Sequence, residues 1–190
     1  VLVHGDTTTS FAVSLACFYH KIKVGHVEAG LRTNDIYSPF PEEMNRQFNS
    51  MIAEYHFTPT LLNKSNLIKQ GIKAKKIILT GNTAIDALLM TLDKIESNPE
   101  KKKKIINSLD KKLQFPWMSE KFILVTGHRR ENFGSGFKNI CDSIVKLSKK
   151  FKSIHFIYPV HLNPNVKKPA EKLLKNISNV HLIKPLDYES

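Results

Sequence analysis

Val1-Leu2-Val3-His4-Gly5-Asp6-Thr7-Thr8-Thr9-Ser10 opens the chain, and it contains the unit from which the rest is built. Val1 to His4 is short, apolar and β-branched, and reads as the end of a buried strand. A Gly-Asp turn follows, and from Thr8 to about His20 the pattern becomes helical. The same alternation returns along the sequence. Strands are expected at residues 1–4, 22–27, 54–57, 76–80, 122–126, 154–158 and 180–183. Helices are expected at about 8–20, 42–53, 61–70, 84–95, 99–113, 137–150 and 165–174. Gly71 suits a helix C-cap, and Asn98-Pro99 reads as an N-cap followed by Pro at the first helical position. Repeated βα units with nearly continuous apolar strands imply an α/β fold with parallel sheets buried on both faces.

Composition narrows the function classes. The chain has 190 residues, 41% hydrophobic and 24% charged, with a formal net charge of +12. That balance excludes a mostly disordered chain. No stretch approaches the roughly 18 to 20 apolar residues of a membrane span, and no signal peptide is readable, so a soluble protein is expected, with no membrane partner. Cys17 and Cys141 are far apart and form no C-x-x-C pair, which argues against a disulfide scaffold or a Cys-based zinc site and fits a reducing cytoplasm. The sequence starts inside a strand without an initiator Met and stops after another, which reads as an internal fragment of a longer protein.

Between about residues 93 and 120 the character shifts. Lys101 to Lys104 and Lys111-Lys112 surround Ile105, Ile106, Leu109 and Leu113, four apolar residues on one helical face. This reads as a surface helix with a solvated basic side, and as the entry to a second α/β domain. A polybasic run can bind nucleic acid, but no aromatics interleave with it.

In open α/β sheets ligands bind beyond the carboxyl ends of the strands, so chemistry is sought there. Those ends read His4-Gly5-Asp6-Thr7-Thr8-Thr9, His26-Val27-Glu28-Ala29-Gly30, Thr80-Gly81-Asn82-Thr83, Thr126-Gly127-His128-Arg129-Arg130-Glu131 and Pro159-Val160-His161-Leu162-Asn163. Asp6 or Thr8 alone reads equally well as a helix cap. Several such turns together indicate a binding cleft. In Ser38-Pro39-Phe40-Pro41-Glu42-Glu43-Met44-Asn45-Arg46, a loop opens a helix. Met44, Phe48, Met51 and Tyr55 form an apolar stripe expected to face the core, while Glu42 and Arg46 share a face turned away from it. They are either a surface ion pair, worth about 0.3–0.5 kcal/mol, or part of a site.

Sharper motifs fail. Gly134-Ser135-Gly136 lacks the third glycine and the preceding strand of a dinucleotide fingerprint, and no P-loop occurs. His26-Val27-Glu28 matches the H-x-E of zinc deaminases without the required P-C-x-x-C.

Taken in order, the strand-end motifs, together with Gly25-His26-Val27-Glu28-Ala29-Gly30-Leu31-Arg32-Thr33, Pro41-Glu42-Glu43-x-Asn45-Arg46 and Pro159-Val160-His161-Leu162-Asn163-Pro164-Asn165, closely resemble the bacterial non-hydrolysing UDP-N-acetylglucosamine 2-epimerases. The resemblance runs over nearly the whole chain. It implies a GT-B-like fold of two Rossmann-like domains, both incomplete here: residues 1–83 the latter part of the first, 84–120 connecting helices, and 121–190 the first βα units of the second. It also implies a homodimer when full length. The implied activity is reversible conversion of UDP-N-acetylglucosamine to UDP-N-acetylmannosamine by elimination and readdition of UDP, without a cofactor or a metal, to supply cell-surface polysaccharide precursors.

Carried over by position, the resemblance assigns Asp6, Glu28 and Glu42 to the carboxylate set, with Arg46 and His128 beside the nucleotide and its leaving phosphate. Arg129 and His161 fall at positions that hold an allosteric second UDP-sugar. It also moves Glu42 and Arg46 from a surface pair into the site. A hydrolysing epimerase and a retaining GT-B glycosyltransferase are the nearer rivals, and a basic nucleic-acid-binding module the distant one. The isolated chain is expected to be aggregation-prone or partly unfolded, and inactive.

Overall fold

The computed structural model describes residues 1–127 and 135–190. The chain divides into two compact units, Val1–Met90 and Thr91–Ser190. The first carries β1 (Leu2–His4), α1 (Thr8–Tyr19), β2 (Gly25–Val27), α2 (Glu42–Ile52), β3 (Tyr55–Thr58), α3 (Leu61–Lys69), a 3-10 turn at Ala74–Lys76 and β4 (Ile77–Leu79). Helix α4 (Thr83–Glu96) runs from the first unit into the second. The second continues with α5 (Pro99–Lys112), β5 (Phe122–Leu124), α6 (Ser135–Lys150), β6 (His155–Pro159), α7 (Pro164–Leu174) and β7 (Val180–Ile183). All strands are parallel, in the orders β1-β2-β3-β4 and β5-β6-β7. Every expected strand and helix is present, with bounds shifted by three residues or fewer.

Local chemistry accounts for the helix ends. The Thr7 side chain accepts from the Ser10 N–H and caps α1, so Asp6, beside it, is not the cap. Asn98 caps α5 through the Lys101 N–H with Pro99 behind it. Gly71 follows the last residue of α3 at φ +84°, the left-handed position that ends a helix. On α5, Leu109 and Leu113 are buried, with Ile105 packed beside them, as the amphipathic reading requires.

One expectation is corrected in part: the first sheet and β5 are not buried on both faces, whereas β6 is, with Phe156, Ile157 and Tyr158 all buried. Leu2 is 71% exposed, and all three residues of β5 are exposed. A strand order that always steps the same way, with right-handed crossovers, lays its connecting helices over one face of the sheet. Helices α1 and α2 accordingly pack on each other. The paired row Val3, His26, His56 and Ile77 crosses the first sheet and is buried throughout, whereas its neighbours Leu2, Tyr55 and Ile78 are exposed. Two histidines therefore stand in the middle of this core row. In the second unit, Phe137, Cys141, Phe156, Tyr158, Val166 and Leu174 form a conventional apolar core between α6, α7 and the sheet.

Candidate active site at the strand ends

The turn after β1 is built by what closes over it. Gly5 adopts φ +68°, and a Cβ there would lie 3.3 Å from Glu28 Oε2. Glycine thus serves twice, by permitting the left-handed turn and by leaving room for a carboxylate from the end of β2. Glu28 itself sits at φ 65°. Two residues on, Gly30 (φ +90°) presses so closely on α3 that a Cβ would stand 2.3 Å from the Asn63 carbonyl oxygen. The Asn66 amide donates to the Gly30 carbonyl at 3.0 Å, which fastens the turn that carries Glu28.

The other wall is α2, and here the helix lies opposite to expectation. Its buried residues are Glu43, Asn45, Asn49 and Ser50. Met51 is 82% exposed, and Phe48, on the same stripe, stacks with Phe11 of α1 at a centroid distance of 4.8 Å. The apolar stripe does not face the core, and the side carrying Arg46 is the inward one. The reason is polar demand: Asn45 Nδ2 donates to the Asp6 carbonyl at 2.9 Å and Asn49 Nδ2 to the Gly5 carbonyl at 3.3 Å. The β1–α1 turn exposes backbone acceptors to this helix, and burying them without partners would cost about 1–3 kcal/mol each.

Arg46 completes the arrangement. Its Nε and Nη2 both donate to Asp6 Oδ2, at 3.1 and 2.5 Å, while Nη1 donates to Glu43 Oε2 at 3.2 Å. The Arg46 side chain is 11% exposed and that of Asp6 23%, so the pair is screened from bulk water yet open on one side. Glu42 is half-buried at the first position of α2, where the helix dipole favours a carboxylate. Among the described residues, no hydrogen bond joins it to Asp6, Glu28 or Arg46. Thr83, the first residue of α4 after the turn that leaves β4, brings its Oγ1 to 3.4 Å from His4 Nε2, so a third strand end meets the first.

Two histidines lie beneath this surface. His26 Nε2 is 2.8 Å from the Gly5 carbonyl, which requires the proton on that nitrogen, and Nδ1 has no partner among the described residues. Burial lowers the His26 pKa. Burial above all pushes the pKa of His56, beside it on β3, down to about 4. Both are uncharged near neutrality, so neither adds a cation beside Arg46.

The family model for UDP-N-acetylglucosamine 2-epimerase matches residues 1–190. The chain belongs to that family. It is 52% identical over 188 residues to the UDP-N-acetylglucosamine 2-epimerase of Neisseria meningitidis, covering 99% of this chain and 49% of the relative. It is 52% identical over 189 residues to the Campylobacter jejuni enzyme of the same name, covering 100% of this chain and 49% of the relative. The crystal structure of the N. meningitidis epimerase bound to UDP-GlcNAc superposes with a TM-score of 0.90 at 51% identity, over 100% of this chain and 50% of that one. A Methanocaldococcus jannaschii epimerase in complex with UDP-GlcNAc and UDP gives 0.79 at 33% identity, over 100% and 50%. The chain thus spans about half the length of these epimerases. The α/β, GT-B-like reading agrees with these neighbours.

Within this epimerase-family chain, the structure joins Asp6 to Arg46 and sets Glu28 against the same turn. His128 and Arg129 lie outside the described residues. His161 stands in the second unit, after β6, where its Nδ1 accepts from the Asn163 N–H at 3.1 Å. A cavity of about 180 Å³ adjoins that strand end, with Val160, Leu162, Lys167, Glu171, Leu182 and Lys184 among its lining residues. Tyr158, 1% exposed, donates to the Gly127 carbonyl at 2.5 Å and holds the residue just before His128. Sequence reasoning missed Glu43, Asn45 and Asn49. Their signal was the absence of lysine from α2, a feature shared with α1, whereas α3 to α7 each carry lysine.

Proposed function

We propose that this chain forms part of the catalytic machinery for reversible C2 epimerisation of UDP-N-acetylglucosamine to UDP-N-acetylmannosamine. The observation that carries the reading is the convergence at the ends of β1 and β2: Asp6 held by Arg46, with the Glu28 carboxylate against Gly5. Epimerisation at C2 needs a carboxylate to take the C2 proton and a group to stabilise UDP as the C1–O bond breaks. The electron pair of the C2–H bond becomes the C1–C2 double bond of a 2-acetamidoglucal, and the pair of the C1–O bond leaves on the UDP phosphate. Readdition of UDP at C1 and delivery of a proton to the opposite face of C2 complete the exchange. The C2 proton is not adjacent to a carbonyl, so C–O cleavage runs ahead of deprotonation, and the cationic character at C1 is favoured by nearby carboxylates.

Asp6, Glu28 and Glu42 form the acid–base and electrostatic set. Arg46 and His128 face the nucleotide, and Arg129 and His161 belong to an allosteric UDP-sugar site. The two Rossmann-like domains and homodimeric assembly of the full-length protein are part of this reading. So is a cytoplasmic location, which the free, buried thiols of Cys17 and Cys141 fit. No helix among the described residues is long and apolar enough to cross a membrane. The test is to run the full-length protein on UDP-N-acetylglucosamine in D2O and follow products by NMR. Deuterium at C2 of UDP-N-acetylmannosamine is expected; an epimerised product retaining its C2 hydrogen overturns the mechanism.

A further inference from the structure

We infer that Glu43 is a positioning residue for this reaction, acting through Arg46. The inference rests on the proposed epimerase reading. Glu43 is fully buried, at 0% exposure, one turn of α2 from Arg46. An ionised carboxylate in such a place persists only when its oxygens are occupied. Three donors occupy them: Arg46 Nη1 and the Thr33 N–H on Oε2, both at 3.2 Å, and Gln47 Nε2 on Oε1 at 3.0 Å.

Two of these donors bear on the site. Thr33 ends the Gly-Leu-Arg-Thr segment that follows Glu28. Arg32, beside it, donates to Gln70 Oε1 and Ser50 Oγ, which ties the segment to α2 and α3. Arg46 is gripped at one end of its guanidinium by Glu43, and it offers Nε and Nη2 at the other to Asp6. A guanidinium is a planar fork, so fixing one Nη sets the plane in which the remaining donors lie. Without Glu43, a long side chain with several rotatable bonds would have Asp6 as its only ionic partner among the described residues. It could then leave with the phosphate or swing away from Asp6. Glu43 touches no reacting atom; it fixes where the charge of Arg46 is presented.

The experiment compares Glu43→Gln, Arg46→Ala and the double variant in the full-length protein. The amide keeps the shape, and a flip of the Gln47 amide can preserve the hydrogen-bond count, so Glu43→Gln removes mainly the charge that anchors Arg46. A kcat about 10-fold lower or more, with KM for UDP-N-acetylglucosamine changed less than about 3-fold, is expected. In the Arg46→Ala background the same change should add less than about 2-fold, because the two act as one unit. Wild-type kcat in folded Glu43→Gln, or full additivity with Arg46→Ala, overturns the inference. The Arg46 Nε–H resonance is a readout independent of activity: it should move and exchange faster in Glu43→Gln, and an unchanged resonance refutes the role. An inactive wild type would sink the epimerase reading while this resonance still decides whether Glu43 holds Arg46. Glu43→Asp, one methylene short of the guanidinium, is read by the same measurements with the same outcomes if the amide variant does not fold.

Discussion

Gly30 and Gly71 both adopt left-handed φ, yet only one has a neighbour that forbids a side chain. A Cβ on Gly71 meets nothing within 4 Å, whereas one on Gly30 meets the Asn63 backbone oxygen at 2.3 Å. Gly71→Ala should therefore cost about 1–2 kcal/mol, the left-handed penalty alone. Gly30→Ala should cost at least about twice that, because α3 must move as well. Urea unfolding of the two variants of the full-length protein checks the order, and equal midpoints would refute the contact. For the proposed reaction, Asp6→Asn, Glu28→Gln and Glu42→Gln are each expected to lower kcat by about 10²-fold or more with the fold intact. Near-wild-type turnover removes that residue from the set. Glu28 and Glu42 are the more exposed to this test, since among the described residues neither shares a hydrogen bond with Arg46 as Asp6 does. Arg129→Ala and His161→Ala should alter substrate cooperativity first, and an unchanged Hill coefficient would end their allosteric assignment.

The elements of the first unit are held by polar as well as apolar complementarity. Helix α2 turns Asn45, Arg46 and Asn49 onto the β1–α1 turn, and the middle of the helix-covered sheet row is His26 and His56. This has a consequence for acid stability. The folded protein holds His56 near pKa 4 against an ordinary 6.5, so between those values the unfolded chain binds a proton that the folded chain does not. The contribution of neutral His56 is fully present above about pH 6.5 and is lost as pH falls toward about 4. Replacing it by Phe, of similar size and without a titrating group, should flatten the fall in denaturation midpoint between pH 7 and 4. An equally steep fall in His56→Phe would show that other groups carry the acid sensitivity.

The whole chain leaves much apolar surface open. Helix α4 buries none of its residues: Ile85 is 57% exposed, Leu88 53%, Leu89 58% and Met90 72%. Leu2 and Leu124, at 71% and 57%, expose sheet faces as well. Surfaces of that kind associate. The 190-residue polypeptide purified alone should self-associate at roughly micromolar concentrations and above, and should lack epimerase turnover. Sedimentation at increasing concentration reads this directly. A monomer with one cooperative thermal transition and measurable turnover would overturn it.

What the sequence determined by itself was everything governed by local pattern: the alternation of strands and helices, the Asn98-Pro99 and Gly71 helix ends, and the strand-end turns that carry Asp6 and Glu28. Periodicity, capping and turn chemistry act over a few residues, so they can be read without knowing the neighbours. Only the tertiary structure decided which way α2 faces. Its apolar stripe met the usual expectation for a core face, but the adjoining turn supplies backbone carbonyls and a carboxylate whose hydrogen bonds outweigh the burial of Met51. The same is true of Glu43, His26 and His56. Their side chains are polar in any one-dimensional reading, and they become core residues only because strand pairing and helix packing across 10 to 30 residues of chain bring their partners, or their burial, to them.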